Sequence, residues 1–151
     1  MTTRSTAVAI VLATAGLLIA CSGGHEQALS DRYVTQANAL CAKWTKDLTD
    51  LGFNPPLSDV NRMVPFTKKL IAIDTDYTGR FKALTATQEE RAALGPVYTA
   101  FDEINGAEAA QLKAAEAGNR VGVQTYHQKS VNTTTAINKR LVELRLKVCA
   151  S

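Results

Sequence analysis

Catalytic and cofactor signatures are missing from this sequence. No Walker loop, dinucleotide-binding glycine pattern, HExxH, CxxC or Gly-x-Ser-x-Gly occurs in its 151 residues. Its two histidines, His25 and His127, stand far apart, and three cysteines with two distant histidines make a poor metal-ligand set. A haem would have to draw on Tyr77, Tyr126 or His127, and it needs a large apolar cavity as well. No metal, cofactor or catalytic residue is assigned, and the chain reads as non-enzymatic. An excess of one charge is also lacking: 17 Lys and Arg face 14 Asp and Glu. Nucleic-acid binders carry a strong basic excess, so nucleic acid is not an expected partner. After Cys21 no apolar run approaches the ~20 residues needed to span a bilayer. Aromatics make up 6% of the chain, with a single tryptophan.

What is present begins at the N-terminus. Arg4 precedes a run without charge from Ser5 to Ala20. Residues 7–20 would span roughly 21 Å as a helix, short of the ~30 Å hydrocarbon core. A basic start, an apolar stretch and a small residue before a cut is the layout of a secretory signal. The run ends Leu18-Ile19-Ala20-Cys21, which resembles the lipobox of bacterial lipoprotein signals, Leu-x-(Ala/Gly)-Cys. The resemblance implies cleavage after Ala20 and acylation of Cys21. It implies attachment to the extracytoplasmic face of the bacterial cell membrane through that lipid. A plain signal peptide is the rival, and it would leave Cys21 as an odd free thiol. The expected organisation is a signal peptide over 1–20, the lipidated cysteine and a short polar tether over 21–29, and one helical domain over 30–151.

With Cys21 lipidated, Cys41 and Cys149 remain. Export places them where disulfides persist. Joined, they close a loop of 108 residues, a crosslink worth about 4–5 kcal/mol by chain entropy. Unjoined, they are two buried thiols.

Four amphipathic segments follow the tether. Ser30 caps the first, whose apolar face runs Tyr33, Ala37, Leu40, Cys41, Trp44, Leu48 and Leu51 at steps of three or four. Gly52 and Pro55-Pro56 end it. Ser58-Asp59 opens the second, with Met63, Phe66, Leu70, Ile73, Tyr77 and Leu84 along its seam. Pro65 inside that pattern predicts a restart or a bend. Thr87 with Glu90 forms a capping box for the third. Its stripe is Leu94, Val97, Phe101 and Ile104, its Gly95-Pro96 predicts an early kink, and an Ala-rich stretch follows. Gly118-Asn119 stops it and caps the fourth, expected over about 120–145 with Tyr126, Thr133, Ile137, Leu141, Leu144 and Val148 inward. The run Asn132-Thr133-Thr134-Thr135 weakens this last helix. The second and fourth segments are net basic and the third acidic. The fold class is all-α, a four-helix up-down bundle with one disulfide, preceded by the lipoprotein signal peptide.

The helix containing Ala37-Asn38-Ala39-Leu40-Cys41, the prolines after it, the Ala-rich third helix ending Gly118-Asn119 and the terminal Val148-Cys149 together resemble a group of small actinobacterial proteins. These are helical lipoproteins and secreted proteins with an Ala-Asn-x-x-Cys helix tied to a C-terminal cysteine. The resemblance implies the fold and compartment already drawn, and no reaction. The function expected first is an envelope interaction module with a protein or lipid partner; an exclusion-type protein encoded by a prophage belongs to the same class. The alternative is a carrier or sensor that holds an apolar ligand between the helices. In an up-down bundle the end of the fourth helix lies at the anchored pole, where Lys139, Arg140, Arg145 and Lys147 would face anionic headgroups.

Overall fold

Each helix begins beside a side chain that can serve its unpaired amides. The computed structural model describes residues 29–52 and 54–150. Among the described residues there are four α-helices and no strand. They are α1 (Asp31–Leu51), α2 (Val60–Ala83), α3 (Gln88–Glu116) and α4 (Arg120–Glu143), followed by a 3-10 helix (Lys147–Ala150). The Ser30 hydroxyl accepts from the Tyr33 amide at 3.3 Å, and Asp59 accepts from Arg62 at 3.2 Å. At α3 both halves of the capping box form: Thr87 accepts from the Glu90 amide at 3.1 Å, and Glu90 from the Thr87 amide at 2.7 Å. Gly118, at φ 67°, turns the chain out of α3 in the left-handed conformation glycine adopts without strain. Asn119 then caps α4, accepting from Gly122 at 2.9 Å.

The two interior prolines do not end their helices. Each removes one amide, and the carbonyls left without it are those of Asn61 and Ala92. Both belong to exposed residues, where water can serve them.

Packing follows the chain order, α1 on α2, α2 on α3 and α3 on α4, and the 3-10 helix lies against both α1 and α4. The few aromatics are concentrated at one point. Phe81 meets Tyr33, Tyr98 and Phe101 edge-on at 6.2, 6.2 and 5.3 Å, and Trp44 stacks on Tyr77 at 5.8 Å. Around them Ala37, Leu94, Val97, Leu141, Leu144 and Leu146 complete the larger core. A smaller one joins Met63, Ala114, Ala115 and Val123. There α3 and α4 approach so closely that a Cβ on Gly122 would stand 2.9 Å from that of Ala114. The charge alternation appears as two pairs between α2 and α3, Lys82 with Asp102 and Lys68 with Glu116. Exposed pairs of this kind contribute about 0–1 kcal/mol each.

The C-terminal tail explains the spacing of the Ala-Asn-x-x-Cys segment. Cys41 and Cys149 are joined by a disulfide, with Cα atoms 5.0 Å apart. One turn before Cys41, the Asn38 amide nitrogen donates to the Arg145 carbonyl at 3.1 Å. Its oxygen accepts from the Val148 amide at 3.2 Å. Asn38 thus holds the returning backbone at its bend and three residues beyond it, and Ala37 leaves room for the tail. Arg145 makes that bend at φ 66°, a conformation that costs a non-glycine residue about 1–2 kcal/mol. Its guanidinium reaches Asp31 at 2.6 Å.

The fourth helix departs most from its expected face. It ends at Glu143 rather than at residue 145, and Tyr126 is exposed. Its buried apolar residues are only Val123, Ile137 and Leu141. Ser130, half-buried, and Thr134, exposed, stand between them in the chain and line a cleft.

Candidate functional site

Short polar side chains on α4 leave a gap that an aliphatic seam would have closed. Ser130, Thr134 and Asn138 recur every fourth residue and form one wall of a cleft of about 260 Å³. Trp44 of α1, Leu70, Asp74 and Thr78 of α2, and Phe101, Asn105 and Glu108 of α3 form the rest, with the Cys41–Cys149 bridge at its edge. A second cleft of about 210 Å³ is lined by Met63, Phe66, Thr67, Gln111 and His127. Leu70, Glu108, Ser130 and Thr134 wall both, so the two clefts adjoin. Each is slightly smaller than the roughly 300–1,000 Å³ of typical ligand pockets, and together they fall within that range.

Two carboxyl groups line the first cleft, and one of them, Glu108, also lines the second. Asp74 and Glu108 come from facing helices, and each is only 5% exposed. The Trp44 indole N–H donates to Asp74 Oδ1 at 2.7 Å. Among the described residues Glu108 Oε2 is buried and has no hydrogen-bond donor. Burial raises both carboxyls above the ordinary carboxylate range, Asp74 against the pull of its Trp44 and Glu108 hydrogen bonds. Glu108 is pushed up to about 9, first by burial and then by the neighbouring Asp74 charge. Two carboxylates in contact cannot both ionise cheaply, so the pair holds one proton near neutrality. The indole bond favours Asp74 as the ionised member. Glu108 then carries the proton and donates to Asp74. Neither lysine nor arginine lines either cleft; His127, in the second, is the remaining titratable lining group. The chemistry this supports is binding: apolar and aromatic walls, a few amides and hydroxyls, and one uncompensated negative charge.

Among the described residues Thr67 is the other cleft-lining residue with a buried polar atom that lacks a partner, whereas the unpartnered hydroxyls of Tyr33 and Tyr98 line neither cleft. The Thr67 hydroxyl lines the second cleft. Glu90, also buried, is fully used: besides capping α3 it accepts from the Ser30 amide at 2.9 Å, and these bonds hold its carboxyl down to about 2.

The residues singled out from sequence fall in several places. Cys41 and Cys149 meet, as the sequence reading expected. Cys21 lies outside the described residues. Lys139 and Lys147 are exposed, whereas Arg140 pairs with Glu143 at 3.3 Å and Arg145 with Asp31. Half of the basic cluster is therefore engaged with carboxylates. Asp74 and Glu108, which each occupy a core position in their helices, are functional candidates that periodicity alone does not mark as a site. The chain was compared with family models, curated proteins and solved structures, and none matches.

Proposed function

We propose that this chain is a lipid-anchored binding protein on the extracytoplasmic face of a bacterial membrane, and that its helical domain holds a small, mainly apolar ligand in the cleft between its helices. The anchor rests on the lipobox at Leu18–Cys21 and the compartment on the signal layout before it. The observation that carries the binding reading is the cleft itself. A helix with sufficient aliphatic residues would have filled this space, yet α4 lines it with Ser130, Thr134 and Asn138 over a buried, incompletely bonded Glu108. Such a site pays in stability for polar burial, which is characteristic of function rather than of scaffold.

The interaction-module reading needs a continuous exposed apolar patch. The large exposed apolar side chains are Val121, Tyr126, Val131, Val142 and Val148. From Val121 to Val142 they are strung along about 31 Å of helix, which favours the cleft instead. An up-down order of the helices accounts for the contacts: Tyr33 of α1 meets Phe81 late in α2, while Trp44 meets Tyr77 earlier in α2. In that order the Asp31–Arg145 pair lies at the anchored pole, and Lys139 and Lys147 remain available to anionic headgroups.

The test uses the domain from Ser22 onward and the neutral dye N-phenyl-1-naphthylamine. Bound in the cleft, the dye takes up Trp44 emission by energy transfer and saturates at one per chain. Ser130→Phe fills the space and weakens binding at least tenfold. Unchanged binding by Ser130→Phe, or no saturable transfer, contradicts the proposal.

A further inference from the structure

We infer that the ligand of this cleft is a small organic cation, a protonated amine on an apolar body; the inference rests on the binding reading above. The acidic pair is one of two independent observations behind it. Asp74, on the wall of the first cleft, and Glu108, on the wall of both, are buried, and no lysine or arginine lines either cleft to neutralise them. A structural ion pair would supply that partner from the protein. Here the partner position is left as space. The second observation lies outside the pair: Thr67, 1% exposed and on the wall of the other cleft, has a hydroxyl without any hydrogen-bond partner. The interior thus offers acceptors in both clefts: Glu108 Oε2, the Thr67 hydroxyl, and the carboxylate held by Trp44.

An ammonium group answers the carboxyl pair because it brings N–H donors and one positive charge. Trp44 and Phe101, edge-on to each other at 5.5 Å, flank the charged end with aromatic surface, which also attracts cations. Phe66, Leu70, Ile104 and Ile137 accept the apolar body. A neutral ligand of the same shape gains the apolar contacts and leaves the charge unanswered. An anion must enter against that charge. The expected ranking is amine over alcohol over carboxylate. The two adjoining clefts, of about 260 and 210 Å³, together hold the share of roughly sixteen waters in the liquid, ample for a six-carbon body.

Three matched six-carbon probes separate these outcomes on the full-length, lipid-bearing chain in detergent. They are hexylammonium, hexanol and hexanoate, each followed by the fluorescence of Trp44, the single tryptophan of the chain, and by titration calorimetry. Hexylammonium saturates the signal and binds at least tenfold more tightly than hexanol, and hexanoate gives no saturation. The double variant Asp74→Asn/Glu108→Gln retains hexanol binding and loses the preference. It buries no charge, so it folds at least as readily as the parent. Equal affinity for amine and alcohol overturns the cation inference and leaves the cleft reading standing. A preference that survives in the double variant overturns the assignment to these carboxyls. No saturable response to any probe overturns both readings.

Discussion

The proton held between Asp74 and Glu108 makes folding stability depend on pH in a direction opposite to that of most carboxylates. The folded chain keeps Glu108 protonated up to about pH 9, whereas the unfolded chain releases that proton near 4.5. Across this window the folded state binds more protons. The stabilisation is fully present below pH 4.5 and declines as pH rises toward 9, by about 1.4 kcal/mol per unit. Between pH 6 and 8 the loss amounts to about 3 kcal/mol, a large part of the roughly 5–15 kcal/mol that holds a domain together. Glu108→Gln is nearly isosteric and has no proton to lose, so its stability stays level to within about 1 kcal/mol over the same interval. Urea unfolding of parent and variant at pH 6, 7 and 8 reads both slopes. At pH 8 the variant is the more stable of the two. Parallel slopes would refute the shared proton, and with it the single negative charge assigned to the cleft.

Contacts in the domain and the lipobox before it set four further outcomes. Replacing both bridge cysteines by serine lowers stability by about 4–5 kcal/mol, as expected for a 108-residue loop, and Asn38→Ala speeds reduction of the bridge by freeing the tail; thiol-trapping kinetics that match the parent would count against the clamp. Glu90→Ala costs about 2–3 kcal/mol at pH 7 through lost charge-assisted bonds to the Ser30 and Thr87 amides. Because its carboxyl is held near 2, that contribution is present above pH 4.5 and fades as pH falls toward 2, so the two chains converge in acid. Cys21→Ala in the full chain either stays uncleaved or leaves the membrane fraction; a processed mutant still partitioning with detergent would contradict the anchor.

The helix boundaries were legible because caps are local chemistry. Ser30, Thr87 with Glu90, and Gly118-Asn119 act within a few residues of themselves, so reading them needs no tertiary knowledge. The disulfide followed from a count of cysteines, and the structure adds the reason for the Asn38 position. The inner face of α4 was not legible in the same way. Periodicity looks for apolar residues, and the cleft-lining positions of α4 include half-buried Ser130 and Asn138 and exposed Thr134, which read as solvent-facing. Asp74 and Glu108 carried a usable signal all the same. Asp74 lies seven residues beyond Thr67 on the buried stripe of α2. Glu108 continues the stripe Leu94, Val97, Phe101 and Ile104 at the next step of four. A carboxyl at a core position on each of two helices is a pattern that periodicity exposes, but whether the two meet depends on packing between helices.

The most direct measurement of the central claim is nuclear Overhauser contact between bound hexylammonium and the side chains of the helical domain. Trp44 contributes the single indole N–H resonance of the chain, at 2.7 Å from Asp74. The account predicts contacts from the probe's methylenes to the Trp44 indole and the Ile137 methyls, with the indole resonance shifting as the amine saturates. Contacts confined to exposed Val121 or Tyr126, with the Trp44 resonance unmoved, would contradict it.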